Sequence, residues 1–255
     1  MALMDEFREE REQIKNAPFK KRLEYFWEYN KTKVLIIAFV TIMLSSMIYN
    51  FATKKDAALY VAMIDCLQDD TLAAEYEANF EELLAINPKK EDVIFDASYL
   101  VSGATDFADT SLTDSLSVRV ATGEIDAFIS GEAFFSAYAV GDVFVDLRTV
   151  LSPEDLAHYE DNLYYIDYKH IEEGYANDKN NVMSDVNYLL DMKPRNPETM
   201  ENPIPIGIYL EHTTEEFSAT YRFSKKEPTV FGIIYNHCDI ENIVTFLDLI
   251  TGRNA

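Results

Sequence analysis

RVATGEIDAFISGEAFFSAYAVGDVFVDL, residues 119–147, decides the fold. Val120 and Ala121, with Leu112 and Leu116 before them, fall at helical spacing, and Gly123 acts as a helix stop. IDAFIS (125–130) then reads as a buried strand. Gly131 opens a second helix, EAFFSAYAV, which Gly141 ends, and Phe144, Val145 and Leu147 form a short extended piece. The same alternation runs upstream. ALYVAMIDC (58–66) is an apolar run that closes on Asp65 and Cys66, a buried strand. TLAAEYEANFEELLAI (71–86) places apolar residues at 72, 73, 76, 80, 83 and 84, a helical stripe that Asn87–Pro88 ends. DVIFDASYL (92–100) is a further strand. Strand and helix alternate three times, the pattern of an α/β fold with a parallel-type sheet covered by helices and right-handed crossovers.

Downstream the pattern loosens. Ser152 and Pro153 read as N-cap and first residue of the helix PEDLAHYEDN, with Asp155 as a capping acid. GIYLE (207–211), SATYRF (218–223) and VFGIIYN (230–236) read as extended, and DIENIVTFLDLITG (239–252) as a closing amphipathic helix. Residues 169–203 are poor in apolar residues and rich in Asn, Asp and Pro, with one short candidate helix, VMSDVNYLLDM.

Ahead of all this lies VLIIAFVTIMLSSMIYNFAT (34–53), 20 residues without a charge. As a helix it spans about 30 Å, the thickness of a bilayer's hydrocarbon core. Eight of the chain's Lys and Arg lie in residues 1–33, against Lys54 and Lys55 just beyond the apolar run. That bias predicts a cytoplasmic tail (1–33), one transmembrane helix in the cell membrane (34–53), and an extracytoplasmic domain (54–255). Phe19, Tyr25, Phe26, Trp27 and Tyr29 before the run, and Tyr49 and Phe51 near its end, suit the headgroup level. A cleaved signal peptide is the competing reading, but its charged leader would be unusually long, and no A-x-A site follows.

The chain carries 45 acids and 22 bases, a net charge of −23. Residues 1–33 hold seven of the acids, so the negative surplus belongs to the outer domain. Nucleic acid is excluded as a partner, since phosphate binding needs a basic stripe. The surplus fits solubility, or affinity for a cationic ligand or a basic partner. Two cysteines, Cys66 and Cys238, exclude a disulfide-dense scaffold and leave one bridge or two free thiols. The four histidines form no metal pattern, and no cofactor is implied.

Residues 119–147, together with FGIIYNHCDIENIVTFLDLITG (231–252), resemble passages of the periplasmic-type solute-binding proteins of ABC transporters, in the two-lobed, discontinuous-sheet class. The first passage is similar in its helix ending at Gly-Glu-Ile-Asp, strand, cleft helix and Asp-Leu. The second is similar in its strand, Asn-bearing turn and helix with a Phe-Leu pair. The resemblance implies a ligand-binding domain that acts without chemistry, with a cleft between lobes. The 80 or so residues between the two passages imply a reduced second lobe. A membrane tether departs from the family's usual free or lipid-anchored form.

Ligands in α/β sheets sit beyond the carboxyl ends of the strands. Those ends give the candidate site: Asp65, Tyr99, Ser130, Gly131 and Glu132. Ser130 and Gly131 offer a hydroxyl and a backbone N–H to an anion. Asp65, Asp69, Asp70 and Glu132 offer charge to a cation or amine. Capping and turn chemistry requires the same residue types at the same places. NLYYIDYKHIEEGY (162–175) adds Tyr164, Tyr165, Tyr168 and Tyr175, with Tyr165 the candidate stacking face; Tyr is equally ordinary in a strand. No G-x-S-x-G, Walker or G-x-G-x-x-G motif occurs, and His237–Cys238 lacks an electropositive setting, so no enzyme is read here. Two functions remain: a tethered binder of a small molecule, or a non-enzymatic accessory subunit of a membrane assembly, such as a transporter, that uses the fold without an open cleft.

Overall fold

The computed structural model describes residues 18–100, 110–177, 192–224, 226–235 and 239–253. The chain divides into two units, residues 1–54 and 55–255. Among the described residues the first contains one helix, α1 (Phe19–Thr53), of 35 residues. It starts well before the apolar run, because residues 19–33 hold neither Gly nor Pro and carry helix formers. At 1.5 Å per residue it is about 52 Å long. Among the described residues it is the single helix long and apolar enough to cross a membrane. Its polar side chains fold back onto its own carbonyls: Thr41 Oγ1 donates to Ile37 O (2.8 Å) and Asn30 Nδ2 to Phe26 O (3.1 Å). Such internal bonding is what a hydrocarbon surrounding requires.

The second unit is a mixed α/β layer structure. Its main sheet has six strands: β1 (Asp56–Ile64), β3 (Glu91–Tyr99), β4 (Ala127–Gly131), β5 (Leu163–Asp167), β6 (Pro203–Tyr209) and β8 (Thr229–Ile233), in the order β3-β1-β4-β8-β6-β5. β1 pairs in parallel with both β3 and β4. The remaining pairings, β4–β8, β8–β6 and β6–β5, are antiparallel. The expectation of a parallel-type sheet therefore holds for its first half alone. Antiparallel neighbours need no crossover helix, and between β6 and β8 the described helix has six residues. A small ribbon, β2 (Cys66–Gln68) against β7 (Tyr221–Phe223), is antiparallel as well.

Alternation sends the side chains of each strand to two apolar layers. On β1, Leu59, Val61 and Met63 face one layer and Tyr60, Ala62 and Ile64 the other. Helices α2 (Asp70–Leu83) and α9 (Ile240–Thr251) cover the first layer, through Tyr76, Phe80, Phe246 and Ile250. Helices α3 (Thr110–Ala121), α4 (Glu132–Ala139) and α7 (Tyr168–Asn177) cover the second, through Leu116, Phe135, Tyr138 and Ile171. Short helices α5 (Leu147–Val150), α6 (Pro153–His158) and α8 (Glu215–Thr220) complete the first layer's rim with Leu147 and Phe217. The stretch read as extended at 218–223 is thus half helix: Thr214 Oγ1 caps α8 by accepting from Phe217 N–H (3.4 Å). Ser152 caps α6, accepting from Asp155 N–H at 3.1 Å, as the sequence indicates.

One sheet threads the whole unit. The second lobe that the resemblance implies has no sheet of comparable size to itself among the described residues. The candidate helix at 182–192 lies almost wholly outside the described residues, as do His237 and Cys238.

Candidate functional site

β1, β3, β4 and β6 point the same way, so their carboxyl ends share one edge of the sheet with the start of β8. Five of the six candidate residues lie along that edge, in two separate groups. Asp65 ends β1 in a left-handed conformation (φ 51°) that turns the chain into β2, and its N–H donates to Tyr99 O (2.9 Å). Tyr99 is buried at the end of β3, its Oη 3.5 Å from Tyr60 Oη. Tyr60 Oη donates to Asp96 Oδ2 (2.6 Å) and accepts from Arg119 (3.0 Å). Burial raises the Tyr60 hydroxyl well above its usual range, and the bond to Asp96 adds to this. For Asp96, burial pushes upward, but bonds from Ser98 and Tyr60 outweigh it and the carboxyl stays below its ordinary value. Donors and acceptors in this group are matched to one another.

The second group is more open. Ser130 is fully buried at the end of β4. Gly131 has φ −62°, so positive φ is not why glycine stands there. Its reason is contact: a Cβ at Gly131 would lie 2.2 Å from Glu227 Oε1. Glu227 reaches across this bare backbone and accepts from Ala133 N–H (2.9 Å), supplying the N-terminal cap that Gly131, the N-cap residue of α4, has no side chain to give. Glu132 sits beside it. Burial raises the Glu132 carboxyl, Arg195 and Tyr209 pull it back in part, and the Glu227 charge adds to the rise. The Arg195 guanidinium lies 3.7 Å over the Tyr209 ring and is paired with Glu211 at 2.8 Å.

Arg195, Tyr209, Glu211, Tyr221, Arg222 and Glu227 line a cavity of about 590 Å³, together with the apolar Leu210, Phe217 and Phe223. This is within the size range of small-molecule sites. The hydroxyls of Tyr209 and Tyr221 are buried without a well-formed hydrogen bond. None of the six predicted residues forms the cavity wall itself; Gly131 and Glu132 adjoin it through Glu227 and Arg195. Tyr165 is elsewhere, on β5 opposite Pro205, where its N–H donates to Pro194 O (2.9 Å). Tyr168 borders a second cavity of about 500 Å³ at the other edge of the sheet, lined in part by isoleucines.

The alternative chemistry of this edge is accounted for by local structure. Asp69 caps α2, accepting from Thr71 N–H (3.1 Å) and Leu72 N–H (3.3 Å). Asp70 accepts from Gln68 Nε2 (3.0 Å). Among the described residues no cluster of three His, Cys, Asp or Glu is placed to hold a metal ion. Cys66 is a buried free thiol, which burial pushes up to about 12, so it carries no thiolate near neutral pH.

The wall residues that the sequence reading passed over are Arg195, Tyr209, Tyr221, Arg222 and Glu227. One cue was present: arginine is scarce in residues 54–255, with five in all, and two of the five line this cavity. Comparison with protein-family models, with curated proteins and with solved structures gave no match.

Proposed function

We propose that the chain is a single-pass membrane protein whose residues 54–255 form an extracytoplasmic binding domain of the solute-binding type, acting without chemistry. The observation that carries this reading is the cavity at the carboxyl edge of β4 and β6, lined by the charged residues Arg195, Glu211, Arg222 and Glu227. Sheets of this class use that edge for ligands. The length and apolarity of α1 support the anchor, and the eight basic residues of 1–33 support a cytoplasmic N-terminus. An accessory subunit of a membrane assembly remains the rival; the open cavity favours the binding reading over it.

The test is a thermal-shift screen of the full chain in zwitterionic-lipid nanodiscs against amino acids, organic acids, amines, sugars and short peptides. A binding domain gains stability by mass action from its ligand, about 2.7 kcal/mol at a hundredfold excess over Kd. At least one class should raise the melting temperature in a saturable way. If none does, and the chain instead co-purifies in fixed ratio with a membrane complex, the accessory reading replaces this one.

A further inference from the structure

Helix α1 does not begin where its apolar run begins. Residues 19–33 continue the same helix for about 22 Å ahead of residue 34, and this extension has a face of its own. Phe19, Leu23, Phe26 and Trp27 stand at i, i+4, i+7 and i+8, one side of a helix. Each is more than half exposed. At about 100° of turn per residue, Lys20 and Lys31 border that face on one side and Lys33 on the other, while Glu24 and Lys21 lie farther round. Residues 19–33 hold five bases against two acids. Lys20, Lys21, Lys31 and Lys33 are exposed, and none has a carboxylate within 4 Å among the described residues. A ring-bearing apolar face bordered by lysines is the pattern of a helix at a lipid surface.

We infer that residues 19–33 bind anionic phospholipid, the ring face entering the headgroup layer and the lysines meeting the negative groups of the lipid. This rests on the membrane-anchor part of the reading above. Continuity argues for lipid over a soluble anion. The extension runs without a break into the apolar run, so the bilayer is held at high local concentration beside it. Charge argues for anionic over zwitterionic lipid. The aromatic face suits either, but the surplus of bases gains from a negative surface potential and nothing from a neutral one. A helix that overshoots the hydrocarbon core tilts or bends, and interfacial Trp and Lys anchors set the direction. The face from Phe19 to Trp27 sets it here.

Trp27 is the chain's single tryptophan, so tryptophan fluorescence reports on this face alone. The full chain is reconstituted into vesicles of phosphatidylcholine with about one third phosphatidylserine. A fixed fraction of one lipid or the other carries bromine in its upper acyl chain, which quenches tryptophan on contact. At equal mole fraction, brominated phosphatidylserine should quench Trp27 at least about twofold more than brominated phosphatidylcholine. Salt at about 1 M, where the Debye length is about 3 Å, should erase the preference. Lys20→Gln combined with Lys21→Gln and Arg22→Gln leaves residues 19–33 without net charge and should erase it too. Lys54→Gln, at the far end of α1, should leave it unchanged. Retention of the chain on the vesicles through an alkaline carbonate wash reads the anchor separately. In a retained chain, equal quenching by the two lipids, no quenching by either, or a preference that survives salt or the triple variant overturns the inference and leaves the anchor standing. A chain that washes off removes both.

Discussion

Gly131 shows how a residue's role depends on what touches it. The sequence marks it as a turn at the end of a strand, where glycine is open to either sign of φ. The observed φ is negative, and the constraint is the Glu227 carboxylate lying on the bare Cα. Gly131→Ala should therefore displace a side chain without straining the backbone. The cost is the lost cap of α4, about 1 kcal/mol, and Glu227→Ala should cost the same. The double variant should cost no more than either single one, because both remove one interaction. Additive losses in denaturant unfolding would sink this account. Asp167 makes a second case. Burial raises its carboxyl, but N–H groups of Glu201 (2.9 Å), Asn202 (3.0 Å) and Lys169 (3.2 Å) donate to it and hold it below its ordinary value. A depressed folded pKa gives stability that is present above the unfolded pKa and lost as pH falls through the folded one. Asp167→Asn should thus melt below wild type at pH 6, by about 1 kcal/mol for a solvent-screened carboxylate. The gap should narrow by pH 3. Glu132 runs the other way, since its folded pKa is raised. Its protonated form is the favoured one, with stability present below the unfolded pKa and lost as pH rises through the folded one. Glu132→Gln should melt above wild type at pH 8 and level with it at pH 4; the reverse order would contradict the burial argument.

At the scale of elements, α6, β8 and α9 were legible as well as the first half of the outer domain, but the strand order of the second half was not, for one reason. β1, α2, β3, α3, β4 and α4 each carry a local period, apolar alternation or a helical stripe, and punctuation by Asn87–Pro88 or Gly123. Nothing local records that β8, late in the chain, inserts between β4 and β6, because its partners lie far off in sequence. The glycines of β6 and β8 carried that information without a legible signal. A Cβ on Gly207 would meet Phe135 Cζ at 2.8 Å, and one on Gly232 would meet Phe135 Cε2 at 2.7 Å. Phe135 in turn stacks on Phe144 at 4.2 Å between ring centres. The two mid-strand glycines are the seat into which α4 lowers its central ring, a close approach that interior strand glycines often mark. Gly232→Ala should overpack this seat and cost about 2 kcal/mol, read as a lower denaturant midpoint at unchanged slope. If Phe135→Leu restores most of that loss, the ring is confirmed as the obstacle; no rescue would place the strain elsewhere. The candidate site divided in the same way. Sheet-edge logic found Asp65, Tyr99, Ser130, Gly131 and Glu132, yet the cavity wall comes from β6, β7 and residues flanking them, whose position depends on the pairing that the sequence leaves unstated.

On the scale of the whole molecule, charge and hydropathy make separable claims. Residues 55–255 form one compact unit with two apolar layers on a shared sheet, so a chain beginning at Lys55 should be soluble and melt in one transition. Its acidic surplus resists compaction by self-repulsion. The melting temperature should therefore rise when salt increases from about 20 mM to about 300 mM, as the Debye length shrinks below 10 Å; a flat response would mean that the charges are already paired. Orientation is set by the other unit. The basic residues crowd before the apolar run and are few after it, the bias on which the proposed cytoplasmic N-terminus rests. Lys20 and Glu160 are both exposed and stand on opposite sides of the proposed crossing. Neither native cysteine interferes once Cys66 and Cys238 are changed to Ser. In intact cells, a membrane-impermeant maleimide should label Glu160→Cys and leave Lys20→Cys unmodified until the membrane is permeabilised. Labelling of Lys20→Cys alone would invert the protein, and a chain recovered without residue 20 would identify the apolar run as a cleaved signal. The first of those results would place the cavity in the cytoplasm, where a tethered receptor for external solutes has no access to them; the second would release the same domain from the membrane with its cavity unchanged.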